Sequence, residues 1–267
     1  MNSPTAIIEW PSPTGNPPLA GHEIHVWAAS LNVPDTALQN FSATLSPDEL
    51  ERANRFKFSK YRNRYISGRG ALRVILAKYL GRDAPELQFH YLENGKPILA
   101  EDLARAGIHF NLAHTGDLAL VGVTRIGRLG VDVESVRPIK NVDELVARFF
   151  SPRENVLFQK LPDGQKPEAF FNLWTRKEAM LKATGEGITR SLSLVEVSFL
   201  PGEPAQLLAI AGDSAARERW FLKEFIPAKD FTAAVAVERV TSNLQMGKAE
   251  EARELVVKCW KWELENG

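Results

Sequence analysis

Two apolar segments constrain this 267-residue chain more than any other feature: LALVGVT at 118–124 and TAAVAVE at 232–238 are alike in length and apolar content. Each closes a similar run of elements. In the first run Tyr65, Leu72, Ile75, Leu76 and Tyr79 recur at three- and four-residue steps between Tyr61 and Leu80, which predicts a helix stopped by Gly81. Strands then follow at Leu87–Leu92, at His109–Leu112 after a tight turn at Asn94-Gly95, and at Leu118–Thr124 after the polar turn His114-Thr115-Gly116-Asp117. In the second run a helix over Pro167–Ala183 precedes strands at Leu194–Leu200, Trp220–Ile226 and Phe231–Glu238. A chain that writes helix, strand, strand, strand twice is expected to fold as an α/β (α+β) protein of two similar halves. The seam falls near Arg125–Gly130, before a further strand at Leu129–Val133.

The remaining chain frames these halves. Pro4, Pro11, Pro13, Pro17 and Pro18 with two glycines predict an extended arm over 1–21. His22–Ala28 reads as a first strand, and Ser46-Pro47-Asp48-Glu49 as a helix start with Ser46 at the N-cap. The tail Gly247–Glu265 mixes Lys and Glu with Leu255, Val256, Cys259 and Trp260 and predicts an amphipathic terminal helix that packs on its own domain. The expected division is an arm at 1–21, halves at 22–125 and 126–240, and a tail at 241–267.

With 44% hydrophobic and 25% charged residues the chain can bury a core and is not disordered. Lys+Arg and Asp+Glu both number 33, so no global charge argues for nucleic acid or a membrane surface. Cys259 is the only cysteine, which excludes an internal disulfide and favours a reducing compartment. The start lacks a basic n-region followed by an apolar h-region, and no stretch suggests a membrane span. The sequence thus predicts a cytoplasmic protein.

Local charge is less even. Between Arg52 and Arg82 lie ten cations and no Asp or Glu, which is either a solvated helix face or a phosphate-binding surface. In Gly130-Val131-Asp132-Val133-Glu134 the alternating valines predict a half-buried strand whose two carboxylates project together. That is either an acidic strand edge or a place for a hard cation such as Mg²⁺, held by few carboxylates, water and substrate phosphate. Glu178 and Lys182 stand four residues apart on the predicted helix, where a plain surface ion pair is the simplest reading. Of five histidines, His114 alone sits where a ligand could meet it. No zinc spacing, Walker loop, dinucleotide fingerprint, GxSxG or paired CxxC is present.

Three segments in register, Asn111-Leu112-Ala113-His114-Thr115, GVDVE at 130–134 and WTRKEAMLK at 174–182, resemble the 4′-phosphopantetheinyl transferases of the surfactin-synthetase-activating type. The resemblance runs from about Leu45 to Glu238. It implies transfer of phosphopantetheine from coenzyme A to a serine of an apo acyl or peptidyl carrier protein of fatty-acid, polyketide or nonribosomal peptide synthesis, releasing adenosine 3′,5′-bisphosphate. It also implies two halves about a pseudo-twofold axis with coenzyme A in the cleft between them. Asp132, Glu134 and Glu178 match the family's Mg²⁺ ligands, with Mn²⁺ as the alternative ion. Glu178 and Lys182 match the catalytic pair, Glu178 as metal ligand, general base or both. Arg52, Arg64, Lys96, His114, Asp132, Lys177 and Lys182 are implied on the coenzyme A side. Ala113 departs from the serine of many relatives, so a hydroxyl contact to phosphate is missing.

A Mg²⁺-dependent nuclease would use the same carboxylates, lysine and basic run, and a non-catalytic nucleic-acid binder would use the basic run alone. The motif spacing favours the transferase, acting as a monomer without nucleic acid or membrane.

Overall fold

The element order written twice in the sequence is paired twice in space in the computed structural model, which describes residues 7–13, 15–93, 95–185, 192–239 and 254–263. The first half runs β1 (Glu23–Ser30), α1 (Asp35–Thr44), α2 (Pro47–Asn54), α3 (Ser59–Leu80), β2 (Phe89–Tyr91), β3 (Pro97–Leu99), α4 (Glu101–Ala104), β4 (His109–Thr115) and β5 (Leu118–Thr124). The second runs β6 (Leu129–Ser135), α5 (Val142–Phe149), α6 (Pro152–Phe158), α7 (Lys166–Thr184), β7 (Val195–Val197), β8 (Leu207–Ile210), a helical turn at Ala216–Arg219, β9 (Trp220–Phe225) and β10 (Phe231–Glu238). In each half the first strand pairs antiparallel with the last, and the last with its predecessor, giving β1-β5-β4 and β6-β10-β9.

The duplication reaches single side chains. Ser46 and Ser151 are N-caps followed by proline, and their backbone N–H groups donate to Glu49 and Glu154 three residues on, at 3.1 and 2.9 Å. The same two glutamates then receive a cation from the long helix that follows: Arg73 Nε at 2.7 Å from Glu49, and Lys177 Nζ at 2.6 Å from Glu154. Burying an ion pair costs desolvation unless further hydrogen bonds complete it. Arg73 accordingly donates to Ala84 O and Leu87 O, and Lys177 to Leu192 O and Val195 O. Arg69 also meets Glu49 at 3.3 Å, so two cations of the 52–82 run are internal counter-charges.

Alternation along β6 divides the molecule's interior. Leu129, Val131 and Val133 join Ala233, Val235 and Val237 of β10 with Ile24, Val26 and Leu120 of the other sheet in one buried cluster, so the halves share a core. Gly130 and Asp132 point the opposite way, toward α7.

Several predicted elements differ in extent. β4 continues through His114 and Thr115, which pair with Ala119 and Leu118, leaving Gly116-Asp117 as the turn. Polar side chains are tolerated there because β4 lies at the edge of its sheet. The strands predicted at 87–92 and 194–200 shorten to three residues each, and Asn94 lies outside the described residues. In place of the predicted terminal helix, Val256–Lys261 forms β11, parallel to β1 from Glu23↔Val256 to Ala28↔Lys261; residues 247–253, 264 and 265 lie outside the described residues. Without it the backbone edge of β1 would be left unpaired. A Lys258–Glu23 ion pair and Trp260 against Trp27 fasten the strand. The proline-rich arm is held at Ile8, whose N–H donates to Ile226 O, and at Trp10, whose indole donates to Pro227 O.

Candidate active site

Contact between β6 and α7 depends on Gly130. A Cβ there would lie 1.9 Å from Ala179 O and 2.5 Å from Ala183 N, so the strand reaches the helix backbone only without a side chain. Two residues on, Asp132 Oδ1 accepts from Lys182 Nζ at 2.6 Å. One helical turn before Lys182 stands Glu178, and both carboxylates are buried.

Each of these carboxylates keeps an oxygen without a partner: Asp132 Oδ2 and Glu178 Oε1. Burial pushes Asp132 up to about 6, against the pull of Lys182 and with the push of Glu134. Burial likewise raises Glu178 to about 7, helped by the charges of Asp132 and Glu134 and opposed by Lys182. Glu134 is less enclosed; it accepts from Thr115 Oγ1 at 3.3 Å and lies 3.7 Å from Arg137, whose guanidinium covers the Phe171 ring. Among the described residues no three His, Cys, Asp or Glu side chains close into a metal cage. Asp132 and Glu178, each with an unpartnered oxygen, nevertheless fit a cation that takes much of its shell from water and substrate phosphate.

The basic residues divide. His114, at the end of β4, keeps part of its surface open to solvent, yet desolvation of the rest and the cations Lys182 and Arg64 hold its pKa below the usual value. Arg64 pairs with Asp117 at 2.7 Å, which brings the first turns of α3 beside the β4–β5 turn. Lys96 reaches across the halves, donating to Leu129 O at 2.9 Å and to Lys182 O, and burial with Arg128 and Lys182 nearby lowers it to about 8. Beside it lies a cavity of about 300 Å³ between the halves, lined in part by Pro97, His109, Phe110, Arg128 and Thr184. Arg52 is exposed on the last turn of α2, its guanidinium 5.6 Å from the Tyr65 ring centre.

Lys177 is a correction to the expected coenzyme A set. Successive residues on a helix point about 100° apart, and Lys177 leaves α7 on a different side from Glu178. Its ammonium is fully enclosed and satisfied by Glu154 and two carbonyls.

Three further positioning residues lie within the motifs themselves. Asn111 Oδ1 accepts from Val131 N at 2.8 Å and locks β4 to β6, Thr115 orients Glu134, and Gly130 permits the strand–helix contact. Ala113 is buried in the apolar core shared by the halves, surroundings that suit a methyl group.

Comparison with known proteins adds an independent finding. Residues 128–236 match the 4′-phosphopantetheinyl transferase superfamily, and residues 29–125 match the family described as 4′-phosphopantetheinyl transferase, N-terminal. The chain is 44% identical over 228 residues to 4′-phosphopantetheinyl transferase HetI of Nostoc sp., covering 85% of this chain and 93% of that protein. It is 31% identical over 156 residues to the transferase psf-1 of Bacillus pumilus, covering 58% and 64%. To Sfp of Bacillus subtilis it is 28% identical over 159 residues, covering 60% and 68%.

Proposed function

The chain belongs to the 4′-phosphopantetheinyl transferase superfamily, and from that premise we propose that it transfers the phosphopantetheine arm of coenzyme A to a serine of an apo acyl or peptidyl carrier protein. The observation that carries the site assignment is the two buried carboxylates Asp132 and Glu178, the first paired with Lys182 and each with one oxygen unpartnered.

Coenzyme A lies in the cleft between the halves, its phosphates toward Lys182, His114 and Arg64. Asp132 and Glu178, with Glu134 beside them, would hold Mg²⁺ or Mn²⁺, which when bound neutralises charge on the pyrophosphate. The serine oxygen forms a bond to the phosphorus on the pantetheine side, the bond from that phosphorus to the bridging oxygen breaks, and adenosine 3′,5′-bisphosphate leaves. Glu178, with one carboxylate oxygen unpartnered, is placed to accept the serine proton. Lys182 neutralises charge growing on the phosphoryl oxygens and the leaving group. Arg52 and Lys96 act at longer range, Lys96 chiefly by holding the halves together through carbonyls on β6 and α7.

The shared core supports action as a monomer, since two linked halves already build the cleft. A single cysteine supports a cytoplasmic setting, and among the described residues no helix is long and apolar enough to cross a membrane. The rival nucleic-acid reading loses support because Arg69 and Arg73 of the basic run are buried on Glu49.

The test is mass spectrometry of apo carrier proteins incubated with the chain, coenzyme A and Mg²⁺. Addition of the phosphopantetheine arm to the carrier serine is expected. No addition across a panel of acyl and peptidyl carriers refutes the reading.

A further inference from the structure

The link between α2 and α3 turns large apolar side chains out to solvent. Phe58 is 59% exposed, Tyr61 53% and Phe56 39%. Lys57, Lys60 and Arg62 stand exposed among them, and no Asp or Glu occurs between Arg52 and Arg82. The rings form one lobe: Phe58 meets Tyr61 edge-on at 6.2 Å, Phe56 lies 5.5 Å from Tyr65, and Lys57 Nζ lies 5.6 Å over Phe58. Exposed apolar surface of this kind forgoes burial, and such patches mark interaction sites.

The lobe also adjoins the cleft. Arg64, one helical turn beyond Lys60, pairs with Asp117 in the turn after His114 and Thr115. A protein seated on the lobe would therefore stand beside the β4–β5 turn, which Thr115 links to Glu134 of the candidate site.

We propose that this aromatic and basic lobe is the docking surface for the carrier protein, which would present Asp or Glu side chains around an apolar ridge near its acceptor serine. The proposal rests on the transferase reading and extends it to the partner's surface chemistry. Charge complementarity selects an acidic partner, and the rings select a protein over a nucleic acid. A base-stacking platform needs free ring faces, whereas Lys57 covers one face of Phe58, and Phe56 packs against Tyr65. What remains outward is exposed ring surface flanked by cations, suited to aliphatic and acidic side chains.

The experiment measures steady-state transfer to an apo acyl carrier protein by the full chain and by two double variants, Lys57→Glu with Lys60→Glu, and Phe58→Ala with Tyr61→Ala. Circular dichroism checks the fold. The expected result is a rise of about tenfold or more in KM for the carrier in each variant, with kcat at saturation and KM for coenzyme A within about twofold of the parent. Added salt should raise the parent's carrier KM and leave the charge-reversed variant's nearly unchanged. Unchanged carrier KM in both folded variants overturns the docking surface while leaving the transferase reading intact. Equal losses for coenzyme A and carrier overturn it as well, as does tight, lobe-dependent binding of a single-stranded oligonucleotide that competes with the carrier. If the parent modifies no carrier, the functional reading fails and the docking surface with it.

Discussion

Helices α3 and α7 set a buried cation at matching places, Arg73 and Lys177, on the capping glutamate of the helix before them, and α3 adds Arg69. The next residue is Val74 in α3 and Glu178 in α7; four further on stand Lys78 and Lys182. The first strands differ in the same sense. β1 has its outer edge covered by β11, whereas β6 ends its sheet and is met on that side by Asn111 of β4, beside the cleft. Two halves with one topology thus diverge at a few positions, the first closed at its outer strand edge and the second carrying the candidate site. In both, a buried ion pair fixes where the long helix points its next residue.

The largest expected effect tests that division directly. Glu178→Gln should lower kcat about 10²–10⁴-fold with the fold retained, while Val74→Ala at the corresponding place in α3 should leave kcat near the parent value. Comparable losses of turnover in both would break the division between supporting and reacting halves.

Stability should respond unequally at the buried cations. Lys177→Met leaves Glu154 buried without its cation, a loss of about 3–5 kcal/mol measured by denaturant unfolding, whereas Arg73→Met leaves Arg69 beside Glu49 and should cost less. A folded Lys177→Met protein whose only defect is weaker coenzyme A binding would instead restore Lys177 to the ligand set.

Glycines sharpen the comparison at smaller magnitude. Gly130→Ala drives a methyl into the backbone of α7, and a loss of about 1–3 kcal/mol with reduced turnover is expected as Asp132 shifts from Lys182. Gly70→Ala in α3 meets the Phe41 side chain at 2.4 Å and should cost stability alone. Melting temperatures and kcat for the two variants separate these outcomes.

The last test is pH dependence. Asp132 at about 6 and Glu178 at about 7 bind protons more tightly folded than unfolded, where carboxylates titrate near ~4. Their contribution to stability is therefore full below pH ~4 and is lost as pH rises through 6 to 7. Thermal unfolding of the metal-free chain in chelator should show this decline, and the double variant Asp132→Asn, Glu178→Gln should flatten it. An unchanged profile in the double variant would assign the decline elsewhere.

The geometry of the candidate site was legible locally where alternation governs it: Val131 and Val133 bury one face of β6 and so aim Asp132 and Glu134 at the other. Helix boundaries were legible for the same local reason, as Ser46 and Pro47 at the start of α2 and Gly81 at the end of α3 act through their own backbone. A second Ser-Pro-x-Glu at 151–154 stands in the sequence as plainly as the first and marks the duplicated cap.

Other features depended on partners far along the chain. The pattern Leu255, Val256, Cys259, Trp260 suits one stripe of a helix, and only the edge of β1, more than two hundred residues away, made it a strand. Lys177 and Lys182 are equivalent as letters, yet Glu154 and the carbonyls of 192 and 195 enclose one while Asp132 receives the other. Ten cations without an acid between them looked uncompensated because Glu49 lies just outside the run and meets Arg69 and Arg73 only after α2 folds against α3. Local sequence determined most helices and strands, through caps, glycine stops and apolar alternation, and which residue types stand in the motifs. Tertiary structure decided the strand at β11 and which charges become buried supports, because that depends on desolvation and on the neighbour each segment and side chain meets.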